Sequence, residues 1–221
     1  MKIGFIQKTT LIDYPGKVAA TIFVSGCNFR CLFCYNKDLV EGNIEEISER
    51  EVFDFLESRK GLLEAVVICG GEPTIYSDLP EFISKIKKLG FLVKLDTNGS
   101  NPEMLSKLDV DYIAMDVKAP QEKYKEVTGS DIDVQKSIDF IKNSGIDYEF
   151  RTTLVPGLIE REDIFKIAQR ISPAKRYIIQ NFQAQDTIID KDLRNKKSFE
   201  DEYLQKIIDE IKDLFDEVGW R

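Results

Sequence analysis

AVVICGGEPTIYSDLPEFISKIKKLGFLVKLDT, residues 65–97, contains one whole folding unit. A β-branched apolar run at 65–69 reads as a buried strand, and the paired glycines after it read as a turn. An amphipathic stretch with helical spacing follows at 79–89, and a second strand-like run, FLVKLDT, closes the unit at 91–97. Two strands joined through a helix lie parallel, with a right-handed crossover.

The same alternation extends outward in both directions. Strand-like runs occur at 18–24, 112–117, 148–155 and 176–180, with helical patterns at 48–59, 102–107, 133–143 and 161–171. Ser48 with Glu51 three residues later forms a capping signature for the first of these. A last helix is predicted over 200–218, because Tyr203, Leu204, Ile207, Ile208, Ile211, Leu214, Phe215 and Val218 fall on one side. Neither a repeat nor a linker divides residues 1–221, which read as a single domain with 1–17 as an N-terminal extension. Residues 120–132 read as a loop or a lid.

Strands alternating with helices specify an α/β fold, either an open doubly wound sheet or a barrel. Eight strand–helix units take about 250 residues, so six strands in 221 residues point to a partial (β/α)6 TIM-like barrel. In both architectures ligands bind beyond the carboxyl ends of the strands. Polar residues gather at those ends: SGC at 25–27, CGGEP at 69–73, DTNGS at 96–100, DVK at 116–118, and Arg151 within the fifth run. Polar groups at the ends of buried strands are costly unless they are paired or bind something.

Composition narrows the chemistry. The balance of 31 basic and 39 acidic residues gives −8, which argues against general nucleic-acid or anionic-membrane binding. No apolar run is long enough to cross a bilayer, the N-terminal residues do not resemble a signal peptide, and a cytoplasmic location is expected. There the four cysteines are expected as reduced thiols. The chain has no histidine, so it lacks the usual general base near neutral pH and any metal must rely on sulfur or oxygen.

Three of the cysteines crowd into FVSGCNFRCLFCYN, residues 23–36, as Cys27, Cys31 and Cys34. Such spacing suits three corners of one inorganic cluster. A closed zinc site takes four protein ligands and would need Cys69, while three buried core cysteines fit poorly with the polar residues between them. Ordinary iron–sulfur carriers use four cysteines, and a cluster held by three keeps one iron open. Cys69 lies inside a strand, is expected to be a buried thiol, and is not assigned as a ligand.

The triplet resembles the Cys-x3-Cys-x-aromatic-Cys signature of the radical S-adenosylmethionine (SAM) enzymes, and the resemblance covers nearly the whole chain. It implies a [4Fe–4S] cluster on Cys27, Cys31 and Cys34, with SAM chelating the open iron. One-electron cleavage of the sulfonium then yields a 5′-deoxyadenosyl radical that abstracts a hydrogen atom. Gly70, Gly71 and Glu72 match the family's GGE motif, in which glycines admit the methionine moiety and the carboxylate accepts from its ammonium. Phe33 matches a position whose backbone faces adenine, and Tyr35 stands where many relatives have histidine. Resemblance to glycyl-radical activating enzymes implies that Asp96, Thr97 and Asp116 lie near the SAM carboxylate, around a monovalent cation, and that Lys118 and Arg151 contact that carboxylate. A histidine near the last barrel strand in the pyruvate formate-lyase activator has no counterpart here, where Gln180, Asn181 or Gln183 stands instead.

TTLIDYPGKVAATIFVSGCNFRC, residues 9–31, resembles the activating proteins of anaerobic (class III) ribonucleoside-triphosphate reductase. This implies a glycyl-radical enzyme as partner and a reducing donor such as flavodoxin or ferredoxin. Other readings are a radical SAM enzyme acting on a small molecule or peptide, and an electron-transfer or zinc-binding module.

Overall fold

A computed structural model describes residues 1–221. One sheet orders its strands as they occur in the chain: β1 (Ile3–Thr10), β2 (Ala19–Val24), β3 (Ala65–Gly70), β4 (Leu92–Thr97), β5 (Tyr112–Asp116), β6 (Asp147–Leu154), β7 (Ala174–Asn181) and β8 (Phe215–Trp220). β1 runs antiparallel to β2, and every later neighbour is parallel. β1 and β8 do not pair with each other, so the barrel is partial.

The helices are α1 (Lys37–Glu41), α2 (Glu49–Ser58), α3 (Leu79–Lys88), α4 (Pro102–Leu105), α5 (Tyr124–Thr128), α6 (Gln135–Asn143), α7 (Arg161–Ile171) and α8 (Asp201–Ile211). The Ser48–Glu51 capping box starts α2, with both reciprocal bonds formed. α3 buries Leu79, Phe82, Ile83 and Ile86, each such side chain contributing roughly 1.5–3 kcal/mol on removal from water.

Strand alternation divides the residues between two faces. Ile22, Val24, Val66, Ile68, Val93, Leu95, Ile113, Met115, Tyr177 and Ile179 join the helices in the main core. Their neighbours Thr21, Cys69, Lys94, Asp96, Asp116, Arg151, Thr153 and Gln180 line a concave cavity. A second apolar cluster, Tyr14, Ala19, Ala65, Val67, Tyr112 and Ala114, packs beneath them.

Three expectations change. Two edge strands join the six expected, and residues 3–10 of the supposed extension are one of them. The predicted 200–218 helix stops at Ile211; a short 3-10 turn, Lys212–Leu214, leads into β8. The apolar spacing over 200–218 satisfies two periods at once, since Val218 and Trp220 alternate to pack against the core and β8 pairs with β7 through Tyr177 and Val218. Residues 120–132 are neither lid nor plain loop. They hold a 3-10 turn and α5, with Tyr124, Val127 and Thr128 buried.

Candidate functional site

The cysteine loop leaves β2 and is fastened on both sides. Arg30 N–H donates to the Thr128 carbonyl at 2.7 Å and Leu32 N–H to that of Val127 at 3.0 Å. From the other side, Asp190 N–H reaches the Leu32 carbonyl at 2.9 Å and Ile189 N–H the Cys34 carbonyl at 3.3 Å. The irregular backbone thus finds partners in two remote segments, and Cys27, Cys31 and Cys34 all line the cavity.

Burial pushes the Cys27 thiol up to about 11 and the Cys31 thiol up to about 12, so binding a cluster must displace protons. Donors for thiolate are in place, because Phe29 N–H points at the Cys27 sulfur at 3.4 Å and Lys118 lowers both thiols against the burial effect. No three of the Cys, Asp and Glu side chains converge tightly enough to hold a single metal ion. Cys69 faces the cavity rather than the helix-packed core, and burial raises its thiol well above the ordinary range.

The paired glycines, expected to make room for a ligand, also serve the chain itself. Gly71 N–H donates to the Val24 carbonyl at 2.8 Å and Glu72 N–H to that of Gly26 at 2.9 Å. A Cβ on Gly71 would fall 1.8 Å from the Gly26 oxygen, a contact no side chain can make. Gly71→Ala should therefore part the two loops, destabilising the chain by roughly 3 kcal/mol with lower iron retention after reconstitution; an unchanged melting temperature would refute the packing argument.

Glu72 also differs from expectation. It is 1% exposed and accepts four hydrogen bonds: from Thr74 N–H at 3.1 Å, the Thr74 hydroxyl at 2.6 Å, the Thr97 hydroxyl at 2.7 Å and Asn98 N–H at 2.6 Å. Three of these bonds crowd onto Oε1 and only Asn98 N–H reaches Oε2, so one oxygen is fully engaged from within while Oε2 keeps acceptor capacity. Burial raises its pKa, opposed by those donors. Glu72 knits the turn after β3 to the turn after β4, and Thr97 is spent on the same knot.

Beside it runs a chain of alternating charge across β4, β5 and β6. Lys94 Nζ bonds Asp96, whose other oxygen takes Arg151 Nη1 at 2.8 Å. Arg151 Nε donates to Asp116 at 2.7 Å, and Lys118 Nζ donates to the far oxygen of Asp116 at 2.9 Å. Burial penalises both carboxylates, yet Arg151 with Lys94 lowers Asp96, and Arg151 with Lys118 holds Asp116 well below the carboxylate range. In this structure side-chain cations pair with Asp96 and Asp116, the residues expected around a monovalent cation. A chain with lysine at each end carries one more positive than negative charge, which suits an incoming carboxylate. Lys118 lies 5.8 Å over the Phe33 ring, joining the charge chain to the cysteine loop.

Tyr35 stacks on Phe182 and its hydroxyl accepts from Gln183 N–H at 3.1 Å. Gln180, Asn181 and Gln183 line the cavity, but the Asn181 amide is committed to the Phe199 backbone. Reading the sequence alone misses Lys94, Asn98 and Glu149 as site residues. Lys94 is legible there, since it precedes Asp96 by two positions in a strand and so shares its face. Glu149, 2% exposed, accepts from Tyr112 at 3.3 Å and Arg221 at 3.1 Å; its partners, on neighbouring β5 and just past β8, are far away in sequence, which no local pattern announces. The cavity measures about 540 Å³, within the usual range for small-molecule sites.

Residues 21–171 match the model of the Radical SAM superfamily. A Methanocaldococcus jannaschii protein that carries the name of a glycyl-radical enzyme activating enzyme is 38% identical over 83% of this chain and 80% of its own length. The pyruvate formate-lyase-activating enzyme of Listeria monocytogenes is 28% identical over 77% of this chain and 75% of its own. Among solved structures, Streptococcus suis SuiB bound to its precursor peptide SuiA superposes over 90% of this chain with a TM-score of 0.68 at 17% identity. This chain spans about half of SuiB, 48% of its length, and at that identity the likeness speaks for the fold alone.

Proposed function

The chain belongs to the radical SAM superfamily, and from that premise we propose that it is the activating enzyme of a glycyl-radical enzyme, with anaerobic ribonucleoside-triphosphate reductase as the partner. Its cofactors are a [4Fe–4S] cluster and S-adenosylmethionine. When bound, they supply one-electron cleavage of a sulfonium and the hydrogen-abstracting power that follows. The observation that carries the reading is convergence: three thiols and a charge chain with a cationic surplus, drawn from four strands, share one cavity.

In this reading Cys27, Cys31 and Cys34 hold three corners of the cluster. Lys118 and Arg151 bind the methionine carboxylate, and Asp96 and Asp116 keep both cations extended and aimed. Gly70 and Gly71 offer backbone to the methionine moiety, with Glu72 and Thr97 fixing that turn rather than meeting ligand in this state. Phe33 presents its backbone to adenine, and Tyr35 closes the side toward Gln183. The partner's glycine loop enters between the unpaired edges β1 and β8.

The electron reaches the cluster from a reduced donor, flavodoxin or ferredoxin in class. No helix is long and apolar enough to cross a membrane.

The test is anaerobic incubation of the reconstituted protein with SAM, reductant and the reductase, followed by electron paramagnetic resonance (EPR). A glycine-centred doublet that disappears when the partner's glycine is alanine is expected. SAM turnover that modifies a small molecule, with no doublet on any glycyl-radical enzyme, would overturn the proposal.

A further inference from the structure

The chain is acidic overall, at −8, yet KDLRNKK at 191–197 carries four basic residues and one acidic. Lys191, Lys196 and Lys197 are exposed. None of them enters an ion pair, although most lysines and arginines elsewhere in the chain do. Arg194 is half-buried and directs its guanidinium to the Ile188 carbonyl at 2.7 and 2.9 Å, which holds the segment in shape. The 3-10 turn Lys191–Leu193 is capped by Asp190, whose side chain accepts from Asp192 N–H at 2.9 Å, and Leu193 anchors it in the core.

This basic segment is placed against the cysteine loop. Asp190, directly before Lys191, bonds Leu32, and Ile189 bonds Cys34. The surface that carries the unpaired lysines is thus one hydrogen bond from the backbone that holds the thiols. Asp192 is exposed among them, so the surface is locally rather than uniformly positive; a locally positive surface on a negative protein favours a negatively charged partner and speeds its encounter. Its position beside the cluster loop, rather than at the open β1–β8 flank, favours a partner that delivers an electron over one that presents a glycine.

We propose that Lys191, Lys196 and Lys197 form the docking surface for an acidic, low-potential one-electron carrier protein that reduces the cluster. The proposal rests on the cluster reading above. The step is the loss of one electron by the reduced carrier and its gain by the oxidised cluster, with no bond made or broken and no proton transferred.

The test uses the variant Lys191→Glu/Lys196→Glu/Lys197→Glu, with an acidic flavodoxin as probe. Reduction of the cluster by photoreduced flavodoxin, followed by bleaching of its visible absorption, should slow at least tenfold at low salt. The salt dependence seen in the unmodified protein should flatten. Binding of oxidised flavodoxin, measured by calorimetry without turnover, should weaken by a similar factor. Dithionite, a small reductant needing no docking, should reduce both proteins equally and support equal SAM cleavage.

Unchanged flavodoxin affinity and reduction rate in the variant would overturn the proposal. So would normal flavodoxin reduction combined with loss of glycyl-radical formation under dithionite, because the patch would then belong to the radical's recipient. A failure of dithionite to reduce the unmodified protein would sink the cluster reading instead, and the calorimetric comparison would still decide the docking surface.

Discussion

Replacing any one of Cys27, Cys31 and Cys34 with alanine should abolish both cluster retention and SAM cleavage, while Cys69→Ala keeps the cluster. Removing one thiolate leaves the cube attached at two corners, with a second iron open to water. All four cysteines face the cavity, so position alone does not separate the ligands from the bystander. The proposed assignment rests on loop membership. Three thiols sit on one backbone segment clamped by Val127, Thr128, Ile189 and Asp190, whereas Cys69 rises from a strand among Asp96, Lys94, Asp13 and Arg151. Iron and sulfide analysis of the four variants checks this. A Cys31→Ala protein with full iron content, or a Cys69→Ala protein with none, would reverse the ligand assignment.

The second large effect belongs to Arg151. Its side chain is 9% exposed and holds Asp96 and Asp116 together, with Glu149 at 3.9 Å. Arg151→Met strands buried carboxylates that keep only their lysines, and breaking a buried pair from one side costs about 3–5 kcal/mol. The melting temperature should fall by roughly 10 °C for a chain of this size, and SAM affinity by tenfold or more. Arg151→Met/Asp116→Asn removes one opposing charge along with the arginine, and should recover much of the stability without the affinity. If both variants lost stability equally, charge balance would not be the cause.

Acid should act on the same network. Asp96 and Asp116 have folded pKa values lowered by Arg151. The stability they contribute is therefore complete above the unfolded carboxylate value, about 3.9, and drains away as pH falls through the folded values. Glu72 has the opposite sign, since its raised pKa favours protonation in the folded state, and it partly offsets the loss.

Much of the fold is legible in the amino-acid sequence because period-two and period-3.6 patterns are local. The unit at 65–97 alone states parallel strands and a turn at their carboxyl ends, and that geometry gathers the motifs on one rim. The helical spacing over 161–171 becomes α7, Arg161–Ile171. The family is likewise legible, carried by the cysteine spacing. What escapes a local reading depends on distant partners. β8 continues the apolar spacing of α8, and only pairing with β7 makes it a strand. Glu72 reads as a ligand-facing carboxylate, and only the fold shows that Thr97 and Asn98, from the next strand's end, also bond it. Asp96 and Asp116 read as an oxygen-rich pair, and only the fold places Arg151, supplied by β6, between them. Gly71 reads as room for a ligand, and only the fold shows that Gly26 packs against it as well.

The central claim is a three-thiolate cluster whose remaining iron is open to S-adenosylmethionine, and EPR of the reduced, anaerobically reconstituted protein tests it most directly. The account predicts a [4Fe–4S]⁺ signal that changes shape and position when SAM is added. A reduced cluster whose signal is indifferent to saturating SAM, in protein shown to be folded, would contradict it.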